Sequence, residues 1–292
     1  MQGMNVVVTG ANSGVGFELT RKLLEGGARV VALVRSGFAP GNALIDAALG
    51  DGRLRVYRAD FSDVASLSAA LALLLQQETR VDVLFNNAGV SVGGGARSKQ
   101  GRELHFEVNT VAPYLLTLAL KPLLRLGSAK TVINTSSNAL LTVKRFDSRT
   151  LENPTDLRKL FGPYATSKLA LSLWTRELAP RLAEEGIQIR SVCPGPNKTP
   201  MSAGDGMPGW LRPLTHLFFS PPSRGAARLY DAAFGAYPGT PGGFINKGKD
   251  TPLRFTDQAG DVLAQVDAIY QRELAGKGVR RFVGNEVSER VL

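Results

Sequence analysis

Two side chains four residues apart, Tyr164 and Lys168 in the string YATSK, could together carry a proton transfer. On a helix that offset places them on one face about one turn apart. An ammonium beside a phenol stabilises the phenolate, drawing its pKa down from about 10 towards neutral, so that Tyr164 could exchange a proton with a substrate oxygen. Ser137, in the string INTSS, offers a hydroxyl that could hold the same oxygen. A YxxxK string arises by chance in many chains and is weak unaided. The features preceding it in the chain give it weight.

The first of these is TGANSGVG, residues 9–16, between an apolar strand pattern and a helical one. Gly10, Gly14 and Gly16 allow a tight turn and close approach of backbone to a pyrophosphate, which the free amides of the helix start would face. The spacing is TGxxxGxG; a glycine-rich turn alone is as often structural as binding, and its place between strand and helix raises the binding reading. At the end of the second strand, where an NAD site commonly has an acid, the chain reads Val34, Arg35, Ser36. Arg35 suits a 2′-phosphate because its guanidinium donates paired hydrogen bonds, so NADP(H) is expected over NAD(H). The alternative is a surface arginine without a ligand. Asp60 and Phe61 follow the third strand, and Asn86 to Gly89 (NNAG) follow the fourth. Such residues at the carboxyl ends of successive parallel strands line the crevice where open α/β sheets bind ligands.

The elements that must position these residues are legible as a rhythm. Strands are expected at 5–9, 29–34, 54–57, 81–85, 131–135 and 188–193, with helices at 14–25, 42–49, 64–78, 99–126 and 164–185. That alternation implies an α/β single-domain Rossmann fold: a doubly wound parallel sheet of about seven strands with helices on both faces. No linker divides residues 1–292. Two segments depart from the rhythm: 139–163, polar with Pro154 and Pro163, and 201–222, rich in Pro and Gly yet carrying Trp210, Leu214, Phe218 and Phe219. The second is expected to be a substrate-loop insertion with an apolar inner side, the alternative being an amphipathic helix on the core. Residues 256–292 are expected to form a C-terminal helical extension.

Composition removes other chemistries. With two histidines (His105 and His216) and one cysteine (Cys193), the 292 residues cannot build a cysteine-rich zinc module, an iron-sulfur site or a disulfide framework, and no metal is expected. Neither histidine sits in a hydrolase-like setting. Cys193, in a buried strand pattern, reads as a small core residue. The formal charge of +10 comes from 35 Lys and Arg against 25 Asp and Glu, spread along the chain and mixed with acids, so a solvated surface is expected and no nucleic acid. No apolar run approaches a membrane span and no cleavable leader opens the chain, so a cytoplasmic location is expected.

Taken in order from Thr9 to about Thr199, these motifs resemble the short-chain dehydrogenase/reductase family. The resemblance implies a cofactor site formed by Thr9, Gly10, Asn12, Ser13, Gly14, Val15, Gly16, Arg35, Ser36, Asp60, Phe61, Asn87, Ala88 and Gly89, with Tyr164 and Lys168. It implies that Asp60 meets the adenine and that NNAG supports the central sheet. The catalytic group would be Asn109, Ser137, Tyr164 and Lys168, with Ser137 chosen over Ser136 and Asn109 in the family's kinked, water-binding position. CPGPNKTPM, residues 193–201, is similar to the family's PG-motif loop, in which Pro194, Gly195 and Thr199 would border the nicotinamide. Asn197 departs from the apolar residue often found there. KQGRELHFEVN, the 27-residue interval from Ser137 to Tyr164, SPPSRGAARLYDAAF and FINKGKDTP resemble the retinol dehydrogenase-like branch. The implied activity is hydride exchange between NADP(H) and a carbonyl or secondary alcohol of a small, apolar molecule, by a homodimer or homotetramer. The alternative is a catalytically silent NADP-binding sensor on the same fold, but such proteins commonly lose the Tyr or the Lys.

Overall fold

The computed structural model describes residues 1–199, 219–235 and 239–275. Its strands are β1 (Asn5–Thr9), β2 (Arg29–Val34), β3 (Leu54–Arg58), β4 (Val83–Asn86), β5 (Thr131–Thr135), β6 (Gln188–Cys193), β7 (Phe244–Asn246) and β8 (Lys249–Asp250). They form one sheet in the order β3-β2-β1-β4-β5-β6-β7-β8. The first seven are parallel, as the strand-helix rhythm requires. The eighth runs antiparallel to β7, a difference from the wholly parallel sheet expected. Its cause is the two-residue link Lys247-Gly248, in which both residues have positive φ (52° and 75°). Such a turn joins only antiparallel neighbours, whereas a parallel return needs a crossover of a dozen residues or more.

The sheet is buried on both faces because its strands alternate apolar residues between two cores. Val7 packs with α3 (Val64–Gln77), α5 (Ala112–Arg125), α6 (Pro163–Glu184) and α8 (Ala259–Tyr270). Val6 and Val8 face the other way, against α1 (Gly14–Glu25), α2 (Ala43–Gly50) and α7 (Pro222–Phe234). Burying residues such as Leu19, Leu71 and Trp174 completely contributes roughly 1.5–3 kcal/mol per large side chain before chain entropy is set against it. Arg190 of β6 is also buried; its guanidinium donates to the Ala232 carbonyl (2.8 Å) in the last turn of α7. A cation at a helix C-terminus is the favourable place for one.

The strand order reverses between β1 and β4. Chains leaving those two carboxyl ends wind to opposite sides and open a crevice there, the usual ligand position in such sheets.

The helix expected over 99–126 is interrupted. It begins as α4 (Leu104–Phe106), widens into a π-helical turn at Glu107–Val111, where the Ala112 N–H reaches back to the Glu107 carbonyl, and continues as α5. Pro113 supplies the reason: it has no N–H to return to the Asn109 carbonyl four residues back, so the α-helical ladder cannot pass through this point.

The polar segment 139–163 contains two 3-10 turns, Asn138–Thr142 and Ser148–Thr150. It is tied to the C-terminal part of the chain: Gln258 accepts from the Ser148 N–H (2.9 Å) and donates to the Phe146 carbonyl (2.9 Å). Of the loop expected at 201–222, residues 201–218 lie outside the described residues, as do 276–292 of the expected extension. Among the described residues no helix is long and apolar enough to cross a membrane.

Candidate active site

One cleft of about 750 Å³ lies over the carboxyl ends of β1, β2, β4, β5 and β6. Its wall contains every expected site residue except Thr9 and Asn109. Thr9 is buried at the end of β1, where its hydroxyl oxygen accepts from the Asn87 N–H (2.9 Å) and the Ala88 N–H (2.8 Å). It welds the ends of β1 and β4 and does not face the cleft. Asn109 is likewise buried: its amide donates to the Val90 carbonyl (3.0 Å) and Ser167 Oγ (3.2 Å), and Oδ1 accepts from the Val90 N–H (2.8 Å). Both of its N–H donors are therefore spent on structure.

Under β1 the wall is main chain. Gly10 and Gly14 have φ of +64° and +54°, where a side chain is strained, and a Cβ on Gly10 would stand 3.0 Å from Ala88 Cα. A Cβ on Gly16 would overlap the Gly10 carbonyl oxygen. These glycines leave a concavity at the start of α1, with no acid in the helix's first turn to oppose an anion there. Asn12 holds the rim by donating to Ser36 O (3.0 Å), Ser36 Oγ (3.0 Å) and Gly37 O (3.1 Å). Arg35 is exposed at this rim and makes no ion pair among the described residues. Arg58, absent from the sequence reading, lies beside it: β3 pairs Arg58 with Val34, and its guanidinium stands 3.6 Å from where a Gly37 Cβ would be. Only the parallel register reveals that proximity. Asp60 is held in the wall by accepting from Ser62 N (2.9 Å) and Ser62 Oγ (2.7 Å).

Under β5 and α6 the wall is side chains. Gly162 and Pro163 start α6 so that Tyr164 and Lys168 project from one face into the cleft, whose wall Ser137 shares. Lys168 Nζ donates to the Thr135 carbonyl (2.8 Å). Ser136 points into the protein, bonded to Ser172 Oγ (2.8 Å), which agrees with the choice of Ser137. The expected lowering of the Tyr164 pKa is not found among the protein's own groups. Burial raises the phenol despite the lowering influence of the Ser137 hydroxyl, and burial likewise lowers Lys168 to about 7. Desolvation of the charged form is the first cause of both shifts, and neither group acts on the other's.

His105, bland in the sequence, packs its ring edge-to-face against Tyr164 with centroids 6.2 Å apart. Its Nε2 accepts from the Val92 N–H (3.1 Å), which leaves Nδ1 to donate to Glu103 Oε1 (2.6 Å). Cys193 Sγ accepts from Asn138 N (3.2 Å) and Gly195 N (3.4 Å), and burial pushes its thiol up, as suits an inert core residue. The Asn197 amide folds onto its own loop, donating to Gly195 O (2.7 Å) and Pro194 O (3.2 Å). Asn197 Oδ1 and Thr135 Oγ1 are buried without a protein partner. Apolar residues the motifs did not predict, among them Val90, Leu104, Val108, Leu160, Phe161 and Phe219, complete the wall. Among the described residues no group of three or more His, Cys, Asp or Glu is gathered to hold a metal ion.

A family model described as enoyl-(acyl carrier protein) reductase matches residues 10–212. Dehydrogenase/reductase SDR family member 13 of Bos taurus is 36% identical over 217 residues, which cover 73% of this chain. The chain belongs to the short-chain dehydrogenase/reductase family. Within it the chain lies in the retinol dehydrogenase-like branch: retinol dehydrogenase 14 of Mus musculus is 33% identical over 275 residues, 87% of this chain and 80% of the relative. This short-chain dehydrogenase/reductase spans 56% of the length of the bovine relative. Its fold is similar to that of a blue fluorescent protein from a metagenomic library, solved with NADPH. The TM-score is 0.64 and the identity 26%, over 84% of this chain and 96% of that one.

Proposed function

We propose that this protein exchanges a hydride between a nicotinamide cofactor, NADP(H) in preference to NAD(H), and the carbonyl or secondary alcohol carbon of a small apolar molecule. The observation that carries the reading is the meeting of Ser137, Tyr164 and Lys168 in the same cleft as the glycine concavity at the start of α1. The residues present fit a dinucleotide: Gly10, Gly14 and Gly16 keep the turn at the start of α1 too tight for any side chain and leave main chain facing the cleft, unpaired buried polar atoms line the far end, and Arg35 with Arg58 offers two cations for a 2′-phosphate. NADPH in the related fluorescent protein agrees with this.

When bound, the nicotinamide supplies or accepts the hydride. Ser137 holds the substrate oxygen, and Tyr164 gives it a proton in reduction or takes one in oxidation. Lys168 supports the cofactor ribose and the phenol. Asn109 acts from behind: with its side-chain donors spent, its main-chain carbonyl, to which Pro113 four residues on has no N–H to offer, is its means of anchoring a water. The apolar wall suits the relatives named retinol dehydrogenases, whose named substrate is an apolar alcohol. We take residues 1–292 as one domain, with 201–222 as a substrate loop and 256–292 as an extension, assembling as a homodimer or homotetramer. NADPH consumption against aldehydes, ketones and quinones tests the activity. Turnover of at least one class, with NADH the poorer donor, is expected; dinucleotide binding without turnover would point to the sensor reading.

A further inference from the structure

Beside the catalytic cleft lies a second cavity, of about 890 Å³, walled entirely by residues between Thr142 and Thr166. That segment is the long interval between Ser137 and Tyr164. The two cavities share Thr142 and Phe161 in their walls and so lie side by side. The wall of the second is apolar at Phe146, Leu151 and Phe161 and basic at Lys144, Arg145 and Arg158.

Its charges do not balance. Asp147 is held by Arg149 (2.8 Å) and Asp156 by Arg158 (2.6 Å), so both acids are already neutralised. Lys144 and Arg145 make no ion pair among the described residues. Arg254 adds a third cation behind them, donating to the Val143 carbonyl (3.2 Å). Gly162 and Thr166, at the start of the 22-residue helix α6, line the same space, and the helix dipole there also favours an anion. An apolar-walled cleft beside a cavity with unpaired cations fits a molecule with an apolar stem and a charged end.

We propose that the substrate carries an anionic group, a carboxylate or one of like charge, at the end of its apolar chain remote from the reacting carbon, and that Lys144 and Arg145 bind that group in the second cavity. This rests on reading the first cleft as the carbonyl or alcohol site.

The test compares 12-oxododecanoate with its methyl ester, which differ only in the remote charge, in the wild-type protein and in a Lys144→Glu/Arg145→Glu variant. The wild type should show a KM about tenfold lower for the acid than for the ester, with similar kcat, and the advantage should shrink as salt is raised. In the variant the acid should lose that advantage while the ester's constants hold. Equal treatment of acid and ester by the wild type, or equal loss of both in the variant, would overturn the proposal. Dodecanedioate, which has no carbonyl to reduce, separates the two readings when its binding is followed by calorimetry. Binding that depends on Lys144 and Arg145 without turnover of either aldehyde sustains the anionic subsite and removes the catalytic reading. Dodecanedioate binding that is the same in the variant, or absent from the wild type, removes the subsite.

Discussion

Under β1 and β2 the cleft is lined by main chain, with Gly10, Gly14 and Gly16 packed so closely on Ala88, Thr199 and each other that any Cβ would force the turn apart. Under β5 and α6 it is lined by the side chains of half-buried Ser137 and of buried Tyr164 and Lys168, and burial is the first cause of the shifts of the last two. The first region works by shape and is sensitive to added volume. The second works by proton affinity and is sensitive to charge and to single hydroxyls. A substitution should therefore damage binding in one region and chemistry in the other.

The largest separation should come from Gly16→Ala. The new Cβ meets main chain at Gly10 and the Asn87 amide, so relief requires the turn itself to move. Dinucleotide binding should weaken by about a hundredfold or more, measured by fluorescence titration, with the Tyr164 corner unaltered. At the same end, Arg35→Asp should raise the Kd for NADPH by roughly 10 to 100-fold and leave NADH nearly unchanged. An unchanged NADPH Kd would assign the 2′-phosphate to another group, with Arg58 the first to examine.

In the chemical region, Ser137→Ala should lower kcat/KM by about 30-fold with cofactor affinity intact. Ser136→Ala, one residue away, removes the hydrogen bonds to Ser172 Oγ and to the Lys168 main-chain carbonyl, costing about 1 kcal/mol of stability and leaving turnover within about twofold. Similar losses of turnover in both would blur the distinction between the two serines.

The smallest effect is on stability. Lys168 titrates near 7 in the folded protein against an ordinary value of 10.5, so burial favours its uncharged form. Between those two pH values the unfolded chain binds a proton that the folded one does not, and stability rises with pH across the window. Lys168→Met removes that burden. Its Tm should exceed the wild type's by roughly 5–10 °C near pH 7, and the gap should narrow as pH approaches 10.

The difference between the regions also explains what the sequence could reveal. A glycine that must be glycine leaves its mark in the letters, and TGANSGVG with NNAG pointed directly to residues that the fold gathers at the main-chain end of the cleft. The same letters named Thr9 as a cofactor contact because it belongs to the motif, whereas its hydroxyl is spent on Asn87 and Ala88. Six long strands were plain from their β-branched runs; β7 and β8, of three and two residues, are too short for periodicity to register. The π turn was announced only by Pro113, whose missing N–H acts four residues upstream. Proton affinities were the least legible. The YATSK spacing suggests that Lys168 lowers the Tyr164 pKa, but the depth to which helix α6 is buried decides the matter, and that depth is a property of the assembled core. The contact between His105 and Tyr164 crosses 59 residues of chain and has no local signature.

The division of labour is tested most directly by Tyr164→Phe, assayed for turnover and for NADPH affinity on the same preparation. Removing one hydroxyl should reduce carbonyl reduction by about 10²- to 10⁴-fold while the Kd for NADPH stays within about twofold of wild type. Turnover retained in that variant would contradict the role given to Tyr164 and, with it, the reading of the side-chain end of the cleft as the chemical one.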